Sequence, residues 1–363
     1  MGKKHKHLYD NVCAFENLWL ASRKARRGKR QKQSVAEFEF ALEENLLKIQ
    51  SELQTETYEF GNYHQFTVYE PQERIISAAP YRDRVVHHAL CNVIEPILDK
   101  AMVYYSFACR ENKGTHRAIQ QAWSYVRQKA YVLKFDIKKY FFTIDHEILF
   151  DAIKKKITDE KILALTQKIL KTYSSPDEYY FSFPNDTSAD AFRSRGLPIG
   201  NLTSQLFANY FLTPLDRFIR EKLCCSHYVR YMDDAVLFGN DKQQLHSFKK
   251  EIINFLDERR LVLHPKKSQV FPSQNGIRFL GFHLFPTHRR ILRANLQRFK
   301  KRMKLKSKQF EQEILPWENL LCSLNSWFGY VGNEQHKKFI DGLLHSLQFV
   351  HPQKNFKFTF TSA

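Results

Sequence analysis

Tyr231-Met232-Asp233-Asp234, set between His227-Tyr228-Val229-Arg230 and Ala235-Val236-Leu237-Phe238-Gly239, decides how the chain is read. Two runs rich in β-branched and aromatic residues flank a pair of acids, and Gly239-Asn240 closes the second run. The pattern predicts a β-hairpin with the acids at its tight turn. Adjacent carboxylates repel, and neither is easily buried without a cation beside it. A divalent metal meets that need, because Mg²⁺ takes one or two carboxylates and keeps its other positions for phosphates and water. An Asp-Asp pair is more often only a turn, so the rest of the chain must supply the partners.

Upstream, Tyr131-Val132-Leu133-Lys134-Phe135-Asp136-Ile137 reads as a strand. Tyr131, Leu133, Phe135 and Ile137 share one face, which turns Asp136 to the other at the strand's end. Asp136 is therefore the natural third metal ligand. Asp145 looks like the N-cap of a helix that carries Ile148, Leu149, Ala152 and Ile153 inward. Between the strand and the hairpin, residues 174–195 are polar and turn-rich, a loop. They lead into Gly196-Leu197-Pro198-Ile199-Gly200-Asn201-Leu202-Thr203-Ser204-Gln205 and a helix broken at Pro214. Glycines ahead of a helix let the backbone approach a nucleotide closely.

Further upstream, Phe66-Thr67-Val68-Tyr69 and Arg74-Ile75-Ile76-Ser77 read as strands around a turn at Glu70-Pro71-Gln72-Glu73. Arg110 and Lys113 bracket a turn at Gly114, where they could clamp a triphosphate or simply face solvent. Residues 1–60 carry helical periodicity at Leu8, Val12, Phe15, Leu18 and Trp19, and again at Phe38, Leu42, Leu46, Ile49 and Leu53. The basic run Arg23–Lys32 between these sets reads as a solvated face or a flexible arm on RNA. Downstream, Lys267 follows Leu261-Val262-Leu263, and Phe279-Leu280-Gly281-Phe282 forms a second hairpin-like element. From 287 the chain is helical and basic, with Trp317, Trp327, Phe328 and Tyr330 read as helix-packing core.

The ordered set of Asp136, the Gly200 helix, Asp233-Asp234 and Phe279-Leu280-Gly281-Phe282 resembles the reverse transcriptases. The resemblance implies an α+β right-hand polymerase fold. Its parts would be a basic helical extension (1–60), part of the fingers (61–130), palm with the rest of the fingers (131–285), a helical thumb (286–350) and a tail (351–363). It implies two Mg²⁺ ions, replaceable by Mn²⁺, held by Asp136, Asp233, Asp234 and Ile137. It assigns Arg110, Lys113, Phe141, Ile199, Gly200, Gln205 and Lys267 to the incoming nucleotide. Phe141 would bar the sugar 2′-hydroxyl by bulk. Phe279, Leu280, Gly281 and Phe282 would grip the primer.

Most such enzymes carry Gln-Gly where this chain has Ile199-Gly200. Pro198–Gln205, Met1–His5 and His87-His88-Ala89-Leu90-Cys91-Asn92 resemble instead the enzymes of diversity-generating retroelements. That likeness implies a bacterial or phage host, error-prone cDNA synthesis mutagenic at adenines, a template-repeat RNA and a basic oligomeric accessory protein. A retron or group II intron type enzyme of ordinary fidelity stays open, as does a non-catalytic RNA-binding scaffold.

Composition agrees with a nucleic-acid partner. Net charge is +19 and aromatics make up 14% of the chain, which suits gripping phosphates and stacking on bases. Six scattered cysteines without CxxC or zinc spacing point to reduced thiols. The N-terminus has no apolar run behind it and no segment reaches membrane-span length, so a cytoplasmic protein is expected. Beyond 287 the acids are only Glu311, Glu313, Glu318, Glu334 and Asp341. They are a poor basis for a ribonuclease H site, so RNA removal is expected to fall to other proteins.

Overall fold

The computed structural model describes residues 4–69, 73–184 and 186–331, with the backbone of 350–351 and 354–357. The expected turn at Glu70-Pro71-Gln72, the acids Glu334 and Asp341, and most of the tail lie outside the described residues. By its contacts the chain divides into two compact units. One holds 1–118 and 129–271, the other 119–128 and 272–363. The division falls earlier than the palm boundary expected at 285.

In the first unit, β1 (His64–Val68) pairs antiparallel with β2 (Arg74–Ala78). A sheet then joins β3 (Tyr131–Asp136), β4 (Tyr228–Tyr231), β5 (Asp234–Gly239) and β6 (Gln269–Pro272) in the order β4-β5-β3-β6. The alternation read from the sequence holds in β3 only from Leu133 on, where Leu133 and Phe135 are buried and Lys134 and Asp136 half-exposed, whereas Val132 is also buried and Tyr131 is half-exposed. The helix Leu202–Phe211 ends before Leu212, and Pro214 sits in the first turn of the next helix, Thr213–Arg217. There its missing N–H costs no helical bond. Asp145 caps the helix His146–Lys154, accepting from the N–H groups of Glu147 and Ile148 at 3.0 and 3.1 Å.

Helices of the N-terminal extension, among them Phe15–Ala25 and Leu42–Gln54, bury Leu18, Leu46, Ile49 and Leu53 in the core shared with the helix Tyr81–Asp99. The basic run is not a free arm. It is the end of the Phe15–Ala25 helix and a following turn, with Arg26 paired to Glu39 and Lys24 Nζ bonded to Asn92 Oδ1 at 2.5 Å. Residues 174–184 and 186–195, expected as a loop, carry two short 3-10 helices, Asp177–Tyr179 and Ser188–Phe192, and a charge network pins them. Arg193 meets Asp186 at 2.8 Å, and Arg260 bridges Asp145 and Asp190 at 2.7 Å each.

The second unit holds β7 (Ile277–Phe279), β8 (Phe282–Leu284) and β9 (Arg289–Ile291) in one antiparallel sheet. Trp123 joins them, its Nε1 donating to the Phe285 carbonyl at 2.9 Å, which explains why 119–128 belongs here. The helices Arg293–Glu311 and Trp317–Val331 pack through Phe299, Met303, Phe310, Leu320, Leu324 and Trp327. Phe299 stacks on Trp327 with ring centroids 3.9 Å apart. Trp317, Phe328 and Tyr330 line the edge of that core, as read. The cysteines are unpaired. Among the described residues no helix is long and apolar enough to cross a membrane.

Candidate active site

Register brings the acids together. β3 and β5 run antiparallel with Asp136 opposite Asp234, and β4 meets β5 with Tyr231 opposite Asp234. Met232-Asp233 is thus the whole hairpin loop. A two-residue loop on twisted strands demands a positive φ, a place usually given to glycine. Met232 takes it at φ +58°. For a side chain larger than glycine's this conformation persists only where the surroundings impose it.

The surroundings here are a buried ion pair. Arg230 and Asp216 are both fully buried, and the guanidinium donates to the two carboxylate oxygens at 2.6 Å each. Its third nitrogen donates to Asn209 Oδ1 and to the Met232 carbonyl, both at 2.9 Å. Tyr228 Oη adds a 2.7 Å bond to Asp216. The strained turn therefore hangs from a guanidinium that two neighbouring groups hold fixed.

Electrostatics show what the acids lack. Burial, with the Asp136 charge second, pushes the Asp233 carboxyl up to about 6. Burial also lifts Asp234 to about 6, although Lys134 pulls it down. Lys134 Nζ lies 3.2 Å from Asp234 Oδ2, and Lys267 Nζ lies 2.7 Å from Asp136 Oδ2. Asp234 Oδ1 is buried without a hydrogen-bond partner. Among the described residues no three acid, His or Cys side chains converge on one point, and the two lysines supply the neutralising charge. The orphaned Asp234 Oδ1 is a hard oxygen donor of the kind a divalent cation takes, with the Asp136 carboxylate on the paired strand opposite. Ile137 fits as well. It pairs with Leu263 in an isolated bridge whose flanking bonds are Lys138 N–H to Val262 and His264 N–H to Asp136. Its own carbonyl is thereby directed to the opposite edge, where β5 lies.

The nucleotide candidates divide. Ile199 is half-buried, and its carbonyl accepts the Ser77 N–H of β2 at 2.9 Å. Gly200 has φ +120°, and a Cβ there would lie 2.9 Å from Ile76 Cγ2, so this close approach to β2 needs glycine. Gln205 is half-buried and accepts from the Cys109 thiol at 3.6 Å. Phe141 is half-buried beside Tyr140, whose own ring is core, and its carbonyl accepts the Leu197 N–H at 2.7 Å. Phe142 stacks on Tyr179 of the loop.

Arg110 is corrected. Its guanidinium is consumed by Asp99 and by the carbonyls of Val103 and Ser106, with 8% of the side chain exposed, so it is a strut and not a free clamp. Lys113 is folded onto Tyr104, 2.9 Å from its carbonyl and 3.2 Å from its ring centre. The primer-grip reading also narrows. Phe279 and Phe282 are buried at 1% and 3% exposure in the second unit, leaving the turn Leu280-Gly281 half-exposed. Both turn residues have positive φ, and Tyr330 Oη and Asn295 Nδ2 donate to their carbonyls at 3.2 and 3.3 Å.

Sequence reading missed Lys134 and the Arg230-Asp216-Asn209 network. Lys134 could have been found, since period two puts it on the face of Asp136.

The family described as Reverse transcriptase (RNA-dependent DNA polymerase) matches residues 70–284. The chain belongs to the reverse transcriptase family. The right-hand polymerase fold expected from the motifs is accordingly the fold of this reverse transcriptase. It is similar to the putative COX1/OXI3 intron 1 protein of Saccharomyces cerevisiae, 22% identical over 66% of this chain and 34% of that protein. It is similar to protein YkfC of Escherichia coli at 24% identity, over 56% of this chain and 61% of that one. The group II intron-encoded protein LtrA of Lactococcus lactis is 26% identical over 40% of this chain and 23% of its own length. The reverse transcriptase thus spans less than two thirds of each of these relatives. Among solved structures, apo telomerase from Candida tropicalis aligns with TM-score 0.49 and 14% identity, over 70% of this chain and 53% of that one.

Proposed function

We propose that this reverse transcriptase is an RNA-directed DNA polymerase that makes error-prone cDNA from a template-repeat RNA in a diversity-generating retroelement. The observation that carries the polymerase reading is the Asp136–Asp234 register with Asp233 at the adjoining turn. Asp136, Asp233, Asp234 and the Ile137 carbonyl would hold two Mg²⁺ ions, with Mn²⁺ able to substitute. Bound there, the ions supply charge neutralisation for phosphoryl transfer from a deoxynucleoside triphosphate to the primer. Lys267, whose Nζ lies 2.7 Å from Asp136 Oδ2, would be the cation to meet the triphosphate. The Arg230 guanidinium keeps the acid turn in place throughout.

Phe141 is the group set against the sugar. An aromatic edge excludes a 2′-hydroxyl by overlap, so Phe141→Ala should admit ribonucleotides, read as rNTP against dNTP incorporation on one primed RNA. Unchanged selectivity would move the gate to another side chain.

The finer assignment rests on Ile199. A Gln at this place can hydrogen-bond around the incoming nucleotide, whereas Ile is stiff, has no polar atom and leaves shape alone to discriminate. Losing one or two such contacts is worth about 1–3 kcal/mol, roughly 10- to 100-fold in selectivity. Ile199→Gln should raise fidelity, most at template adenines, without abolishing synthesis. Sequencing cDNA copied by both proteins from one RNA decides it, and equal adenine error rates would sink the mutagenic reading. The alternative, a group II intron or retron type enzyme of ordinary fidelity, is favoured by the intron proteins among the relatives. Low error in the parent itself would select it.

The proposed setting is cytoplasmic, in a bacterial or phage-infected cell. The partners are the template-repeat RNA, the RNA/cDNA duplex and a basic accessory protein. At net charge +19, contact with a second basic protein is expected to run through RNA.

A further inference from the structure

A cavity of about 390 Å³ opens in the first unit where the helices His146–Lys154, Leu202–Phe211 and Thr213–Arg217 meet. None of its lining residues is an acid of the active site or a nucleotide candidate named above. Ile148, Ala152 and Phe211 give it an apolar floor. Lys155, Lys156, Arg217 and Arg259 stand around it against one acid, Asp151. Four cations to one carboxylate is a rim that favours an anion.

The occupant that fits such a lining combines a negative charge for the cationic rim with a flat or apolar body for the floor, within a volume typical of small-ligand pockets. Arg259 already stacks its guanidinium on Phe255 at 4.3 Å.

We propose that this cavity is a nucleotide-binding site separate from the catalytic acids, with the base on the Ile148–Phe211 floor and the phosphate on the Lys155–Arg259 rim. An unpaired nucleotide of a bound RNA and a free nucleotide present the same chemistry. The site goes beyond the polymerase reading and is tested by binding, so its failure leaves polymerisation untouched.

The test uses the full chain in EDTA, which removes the divalent ions that the acids would need. Fluorescent AMP and a single-stranded RNA 10-mer carrying one 4-thiouridine are titrated separately. Photocrosslinks are mapped by peptide mass spectrometry. The parent should bind at least one probe, with crosslinks in 148–156 or 210–217. Ala152→Trp fills the floor and should abolish that signal. The pair Lys155→Ala/Lys156→Ala, one exposed and one half-buried position, should weaken binding about tenfold. DNA synthesis on a short primed template should stay at parental rate in both variants. AMP binding lost in Ala152→Trp supports a free-nucleotide site. Crosslinked RNA with no AMP binding supports an unpaired RNA nucleotide. Crosslinks elsewhere, or binding unchanged in both variants, overturn the proposal.

Discussion

Asp233→Asn is expected to abolish DNA synthesis on a primed RNA, by on the order of a thousandfold or more, as for removal of one member of a unit that acts together. The amide is nearly isosteric, so the hairpin should keep its register, but it removes one negative charge from the acid set. RNA affinity should stay close to the parent's, because the grip comes from lysines and arginines and not from these acids. Primer extension and filter binding on the same preparation separate the two effects. Retained polymerisation would remove the catalytic assignment of the hairpin.

Arg230→Met should have the largest effect on stability. It leaves Asp216 fully buried with its counter-ion gone, a loss of about 3–5 kcal/mol for a broken buried pair. Urea unfolding measures it. The double variant Arg230→Met/Asp216→Leu removes the stranded charge as well and should recover much of the stability, less the bond that Tyr228 loses. Activity should not follow, since the Met232 carbonyl still lacks its donor and the strained turn its anchor. The expected signature is a low kcat with little change in KM for deoxynucleotides. A double variant that regains both stability and kcat would reduce Arg230 to a packing role.

The parts of the site legible in the sequence are those with local rules. Alternation placed Asp136 on the open face of its strand, two apolar runs marked a hairpin whose turn is Met232-Asp233, with Asp234 opening β5 and not in the turn, and Asp145 announced a helix start. The rest depends on pairings that no local rule encodes. Arg230 sits inside a strand, and its partners Asp216 and Asn209 come from the preceding helices, out of reach of any local pattern. Arg110 reads as a free cation until the end of the Tyr81–Asp99 helix supplies Asp99. Phe279 and Phe282 pair across the β7–β8 hairpin and are both buried, a pairing that four consecutive residues do not encode by themselves.

The short bracket joining Phe141 to Leu197 has a consequence for how such an enzyme can evolve. The Phe141 carbonyl holds the Leu197 amide, and two residues on the Ile199 carbonyl holds Ser77 of the fingers hairpin. The side chain assigned to the sugar and the one assigned to the base pair thus share a single backbone relay. Under the proposed roles, a backbone displacement at 199 would be felt at 141, so base-pair checking and sugar selection would be expected to vary together and not separately.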